Sequence, residues 1–153
     1  MNASYAPAAT SKPTVRGYAR RLREQNAGVR HARHYTLDEA RAQLAWVRER
    51  LAVMRAARAR LTDRQTREAL LGGAGTNGGG RPGKQVGEAF LALTAAAADF
   101  DAREIVLRDL DRGLVDFPAI REGREVYLCW VDGEGDIGFW HDLDAGYGGR
   151  QPL

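Results

Sequence analysis

The sequence predicts an α+β fold: a long antiparallel, coiled-coil-like helical hairpin packed on a small antiparallel β-sheet, preceded by a disordered basic tail. Three observations predict it. Apolar residues recur at alternating spacings of three and four across 37–61, glycines crowd 72–83, and from residue 103 the apolar period shortens to two.

Residues 1–33 open with Pro, Ala, Ser and Thr and continue into arginines with no apolar periodicity, the composition of a solvated tail. The folded part, 34–153, begins at HYTLDEA. Thr36 and Glu39 have the spacing of a capping box, and the acidic Asp38 and Glu39 suit the positive end of a helix. Leu37, Ala40, Leu44, Val47, Leu51, Met54 and Leu61 then form a seam for a partner helix, with Arg58 its one polar member. Arginines at 41, 48, 50, 55, 60, 64 and 67 cover the other faces and read as a solvated surface. The helix is expected to reach residue 71, with a break near Thr62, where Gln65 repeats the cap spacing. After the glycine-rich loop, Val86, Phe90, Leu93, Ala97 and Phe100 define a second helix over 84–102, completing a hairpin over 36–102.

The β unit, 103–153, reads as strands at 104–108, 113–117, 125–131 and 136–141. Turns fall at 111–113, 122–123 and 132–135, where Asp-Gly and Glu-Gly pairs border β-branched and aromatic runs. In the third strand Val126, Leu128 and Trp130 share one face and Tyr127, Cys129 and Val131 the other. Both faces are apolar, so this strand is expected to be central and covered on both sides.

Composition excludes several classes. No stretch is apolar and long enough to span a membrane, and the first 25 residues lack the apolar core of a secretory signal. The single cysteine cannot form an intramolecular disulfide, which suits a reducing compartment, so a cytoplasmic location is expected. The net charge of +3 hides a gradient: +6 over 1–33, +4 over 34–98 and −7 over 99–153. Nucleic-acid binding is therefore not expected except through the tail. The unfilled part of the first helix's seam predicts contact with the β unit or self-association with a second copy.

Four motifs carry chemistry. GGGRPGKQ (78–85) resembles a phosphate-binding loop, but Gln85 replaces the magnesium-holding hydroxyl and no strand precedes it, so it reads as a linker. Cys129 lies inside a strand with no second cysteine and reads as a buried structural thiol. DLDRGLVDFP (109–118) places Asp109, Asp111 and Asp116 where aligned strands would face His141. The plainer expectation is a turn at Asp111–Gly113, with Asp116 pairing to Arg121 or Arg124. WHDLDAGYGGRQPL (140–153) is the strongest candidate. His141 with Asp142 and Asp144 offers a divalent-metal ligand set or an oriented acid/base imidazole, and the Arg150 fork suits a carboxylate or phosphate. No other cofactor is evident.

HYTLDEA, DLDRGLVDFPA (109–119), REVYLCW (124–130), WHDLDAG (140–146) and GRQPL (149–153) together resemble a bacterial family of uncharacterised small proteins, some of them labelled division-initiation proteins. The resemblance covers 34–153. It implies the same helical hairpin and β unit and supplies no activity. The leading expectation is thus a homodimeric binding or regulatory module with a site formed by Arg124, Trp130, Trp140, His141, Asp142, Asp144 and Arg150. The alternative is a metal-assisted or acid/base enzyme using His141 with Asp142, Asp144 or Asp116. Whether the chain is an enzyme stays open at this level.

Overall fold

In the computed structural model, residues 29–72 and 81–153 are described. The chain divides into Met1–Arg30 and His31–Leu153, and the helices and strands among the described residues lie in the second unit. The tail through residue 28 and the glycine-rich stretch 73–80, including the first glycines of the phosphate-loop-like motif, lie outside the described residues.

Thr36 starts the first helix as its spacing predicts. Its backbone is extended, its Oγ1 accepts the Glu39 N–H at 3.2 Å, and the Glu39 carboxylate accepts the Thr36 N–H at 2.8 Å. Two otherwise unpaired donors are thereby satisfied at the head of α1, Leu37–Thr62. The helix buries Ala40, Leu44, Val47, Leu51, Met54 and Ala57. The seam follows the expected residues through Met54 and then passes to Ala57, because Arg58 turns outward to Asp111. The expected break comes at Asp63, whose extended backbone ends the helix. Thr62 does not cap the next helix. Its hydroxyl donates back to the Arg58 and Ala59 carbonyls at 3.0 and 3.2 Å. A short α2, Arg64–Gly72, completes this arm.

Helix α3, Arg81–Ala102, starts three residues before the expected position and takes in Lys84, which pairs along the helix with Glu88 at 3.8 Å. Trp46 meets Phe100 at 5.1 Å between ring centroids and Arg50 meets Asp99 at 3.4 Å, so α1 and α3 run past each other in opposite senses. The buried contacts of α3 are Ala89, Ala96 and Phe100, with Leu93 and Ala97 partly covered. Phe90, expected in the seam, is 57 % exposed and Leu91 67 %. Small alanines take the buried positions, and one residue further round the helix the bulkier side chains point away.

The sheet is a five-stranded antiparallel meander in sequence order: β1 Val106–Asp109, β2 Leu114–Arg121, β3 Arg124–Val131, β4 Phe139–Asp142 and β5 Gln151–Pro152. The last strand is two residues long and left no pattern to predict. Strand β4 begins later than expected because Asp136 is spent on a turn: its carboxylate accepts the Ile137 N–H at 2.7 Å and pairs with Arg41. Glu122 and Gly123 form the β2–β3 turn with φ of 52° and 76°. Positive φ at both central positions matches the right-handed twist of the strands and fixes the register from Arg121↔Arg124 out to Leu114↔Val131. Between Leu107 and Asp109 the β1–β2 register slips, leaving Arg108 as a bulge.

Strand alternation sorts the sheet into two faces. Val115, Phe117, Ala119, Val126, Leu128, Trp130 and Trp140 join the α1 seam and Phe100 in one core. The seam of α1 is thus occupied within the chain by the sheet and α3. The opposite face carries Asp116, Pro118, Glu125, Tyr127, Cys129 and His141, all buried. Strand β3 is buried on both sides, as its two apolar faces predict. The segment entering α1 reaches the second face: Tyr35 N–H donates to the Pro118 carbonyl at 2.7 Å, beyond the last β1 pairing. His31 and Arg33, assigned to the tail by composition, bond to Glu125 and Glu104. No helix among the described residues is long and apolar enough to cross a membrane.

Three outcomes are expected from this architecture. Thr36→Ala costs about 1 kcal/mol in chemical denaturation. The hydrogen bonds from the Thr36 amide and then its hydroxyl hold the Glu39 carboxyl below the usual carboxylate range. That contribution is complete above the ordinary range and is lost as pH falls through the depressed folded value, so Glu39→Gln flattens the acid limb of stability. At Gly113, φ is +64° and an added Cβ would lie 2.5 Å from Asp132 Cβ and 2.8 Å from Arg55 Nη2. Gly113→Ala therefore destabilises by more than about 1 kcal/mol. Gly123→Ala, at φ +76° with open space around it, costs less. Equal melting shifts would contradict this reading.

Candidate metal centre

Three adjacent strands each present one ligand-bearing side chain to the second face. Asp116 from β2 pairs directly with Cys129 from β3, and His141 from β4 pairs with Tyr127, two residues away from Cys129. One donor atom from each of Asp116, Cys129 and His141 lies within 4.8 Å of the others, and all three residues are buried. His141 Nε2 is 3.2 Å from Asp116 Oδ2. Arg108, from the bulge in β1, donates its Nε–H to the same Oδ2 at 2.8 Å. Asp116 Oδ1 is buried and has no hydrogen-bond partner. A buried carboxylate oxygen without a partner carries a large desolvation cost, which the adjoining Cys129 S–H or a positively charged group can offset.

The imidazole is oriented by the backbone. His141 Nδ1 lies 2.8 Å from the Asp142 carbonyl oxygen. A carbonyl only accepts, so Nδ1 carries a hydrogen and Nε2 is the nitrogen that can bind something else. Tyr127 packs on the ring at 5.5 Å between centroids, and Arg108 stacks 4.8 Å over Tyr127. Burial first, then the neighbouring Asp116 carboxylate, pushes the Cys129 thiol up to about 12. In this environment the sulfur is a neutral thiol until a cation replaces its proton.

A second polar hub adjoins the first. Glu125 Oε1 accepts from the His31 backbone N–H at 3.0 Å and lies 2.9 Å from His31 Nδ1 and 3.0 Å from His34 Nε2. The Tyr127 hydroxyl lies 3.2 Å from His31 Nε2. Tyr127 thus stands between the two hubs, and all three histidines of the chain fall on one continuous polar strip.

The residues expected to share one site separate. His141 is central. Its sequence neighbour Asp142 falls on the opposite side of β4, where its carboxylate meets Arg124 at 3.4 Å and only its carbonyl serves the imidazole. Asp144 is exposed in the following turn and is not in the ligand group. Trp130 and Trp140 fill the helix-facing core and line no surface with His141. Arg150 does grip a carboxylate, that of Glu134, through Nη2 at 2.7 and 2.8 Å, while stacking 4.1 Å over Phe139. Asp116 pairs with Arg108 rather than Arg121 or Arg124; Arg121 lies instead 4.8 Å over Trp140. Asp111 and Asp109 serve the turn as expected: Asp109 Oδ1 accepts the Arg112 N–H at 3.0 Å and Asp111 meets Arg58.

Sequence reading passed over Arg108, Glu125, Tyr127, His31 and His34, and kept Cys129 apart from His141. One signal was available. From a two-residue turn at 122–123, each step back along β2 matches one step forward along β3, and five steps bring Asp116 opposite Cys129. Nothing comparable marks His31 and His34, whose role depends on where the entering segment crosses the sheet.

The fold and this cluster define a small α+β protein with a buried Asp–Cys–His group on the outer face of its sheet. Over residues 33–153 the chain matches the family model described as "Uncharacterized conserved protein (DUF2203)", and it belongs to that family. No curated protein and no solved structure matches it.

The thiol chemistry gives a direct check. Cys129 is expected to resist alkylation by iodoacetamide at neutral pH in the folded protein and to react fully in denaturant. Rapid labelling of the native protein would contradict the placement.

Proposed function

We propose that this protein is a metal-binding module that holds one divalent transition-metal ion through Asp116, Cys129 and His141. The unpartnered Asp116 Oδ1, buried beside a thiol and an imidazole, is the observation that carries the reading. Thiolate, imidazole and carboxylate together suit zinc-like ions. Zn–S bonds of about 2.3 Å and Zn–N or Zn–O bonds of about 2.0–2.2 Å put tetrahedral donors roughly 3.3–3.8 Å apart. One donor atom from each of the three residues already lies within 4.8 Å of the others, so a contraction of about 1 Å would meet that spacing. His141, already oriented through Nδ1, would supply Nε2 by exchanging its contact with Asp116 Oδ2 for the ion.

The nucleophilic and acid/base alternatives fit less well. A thiol–imidazole–carboxylate relay needs the carboxylate on the nitrogen away from the sulfur. Here Asp116 occupies the Nε2 side and a backbone carbonyl takes Nδ1. Burial of all three donors supports an ion that is held across β2, β3 and β4 as a structural or regulatory element. Three protein donors leave a fourth position for solvent or a small ligand.

A reduced thiol ligand supports placing the protein in the cytoplasm. Homodimerisation belongs to the same proposal, but the α1 seam is covered within the chain, so contact would fall on other surface such as Phe90 and Leu91 of α3.

The test is cobalt substitution of untagged, metal-stripped full-length protein. One Co²⁺ per chain is expected, with a thiolate-to-cobalt charge-transfer band that Cys129→Ser abolishes and Asp116→Asn or His141→Ala weakens. Zinc at 100 times its Kd should add about 2.7 kcal/mol of stability. A cobalt spectrum unchanged by Cys129→Ser, or no binding, would reject the proposal.

A further inference from the structure

Resting on that reading of the centre, we infer that Arg108 is a positioning residue that sets the centre's metal selectivity. It holds Asp116 Oδ2 out of coordination and leaves Oδ1 as a single carboxylate donor. Three observations meet here. Arg108 sits at the one register slip between β1 and β2, a bulge that aims its side chain across the sheet face. Its Nε–H donates to Oδ2 at 2.8 Å from a guanidinium that also stacks on Tyr127, so the group is fixed from two sides. The other oxygen, Oδ1, is buried without a partner.

The consequence is a coordination number. A carboxylate free at both oxygens can chelate and so supports ions of six or more ligands, such as manganese or calcium. A carboxylate with one oxygen tied to a guanidinium donates once, and with Cys129 and His141 it builds a site of low coordination number, the geometry zinc and cobalt accept. The cation also offsets one of the two negative charges that a thiolate and a carboxylate would bring into the interior.

The test uses the untagged full-length protein, stripped of metal and titrated with zinc, cobalt or manganese alone. Wild type is expected to give the intense visible bands of tetrahedral cobalt and to prefer zinc strongly over manganese. Arg108→Gln frees Oδ2: the cobalt bands should weaken toward those of a higher-coordinate ion, and the zinc-to-manganese affinity ratio should fall about 10–100-fold, the usual scale for an outer-shell partner. Arg108→Lys keeps a cation against Oδ2 and should retain the intense bands and the zinc preference. If Arg108→Gln binds cobalt with the wild-type spectrum and ratio, the selectivity role is overturned while the metal centre stands. If wild type binds no metal, both fall. Should Arg108→Gln fail to fold, Arg108→Lys decides: retained zinc preference supports the inference, and its loss overturns it.

Discussion

The register of the β2–β3 hairpin governs the molecule. Glu122 and Gly123, both at positive φ, leave two residues between the strands and commit Arg121 to face Arg124. Every later pairing is then set, through Ala119↔Val126 and Phe117↔Leu128 on the helix-facing side and Pro118↔Tyr127 and Asp116↔Cys129 on the other. Because side chains alternate with period two, a slip of one residue in β3 would turn Trp130 and Leu128 away from α1 and send Cys129 and Tyr127 into the hydrophobic core. The core and the polar cluster are consequences of the same turn, and neither can shift without the other.

The two faces solve different problems. On the helix side the solution is apolar. Val47 and Leu51 of α1 and Trp130, Phe117 and Val126 of the sheet are fully buried, and the arginines of α1 stay at the rim, with Arg48 5.0 Å over Trp130 and Arg55 tied to Asp132 at 2.6 Å. On the other side lie the three buried polar side chains found among the described residues: Asp116, Glu125 and His141. Burying a carboxylate is costly unless it is paired. Glu125 meets His31 and His34, and Asp116 meets Arg108 and His141. Asp116 nevertheless keeps one oxygen unsatisfied beside a thiol, an expensive arrangement for a purely structural network. The proposed cation would offset it.

Much of the fold was legible because strong local signals agreed with one another. The Thr36–Glu39 capping box, the seam through Met54, the Glu-Gly turn and the doubly apolar third strand each reappear in the structure. Failures came where tertiary context overrode a local pattern. Phe90 sits on the expected heptad spacing, yet the buried positions of α3 go to Ala89, one residue before it, and Ala96, six after it, which left Phe90 outside. The candidate site was read along the chain, as His141, Asp142 and Asp144, whereas adjacent strand residues point to opposite faces. The partners of His141 come across the sheet, from Asp116 and Cys129. Arg108 was invisible for a different reason: a bulge has no fixed sequence signature, and its side chain matters only once the register has slipped.

The central claim is that a metal ion sits among Asp116, Cys129 and His141, and anomalous diffraction tests it most directly. Crystals of untagged protein grown with zinc, measured above and below the zinc absorption edge, are expected to show a peak within bonding distance of Cys129 Sγ, His141 Nε2 and Asp116 Oδ1. An anomalous map without a peak there, with the Cys129 thiol and Asp116 oxygen placed as they are without metal, would contradict the account.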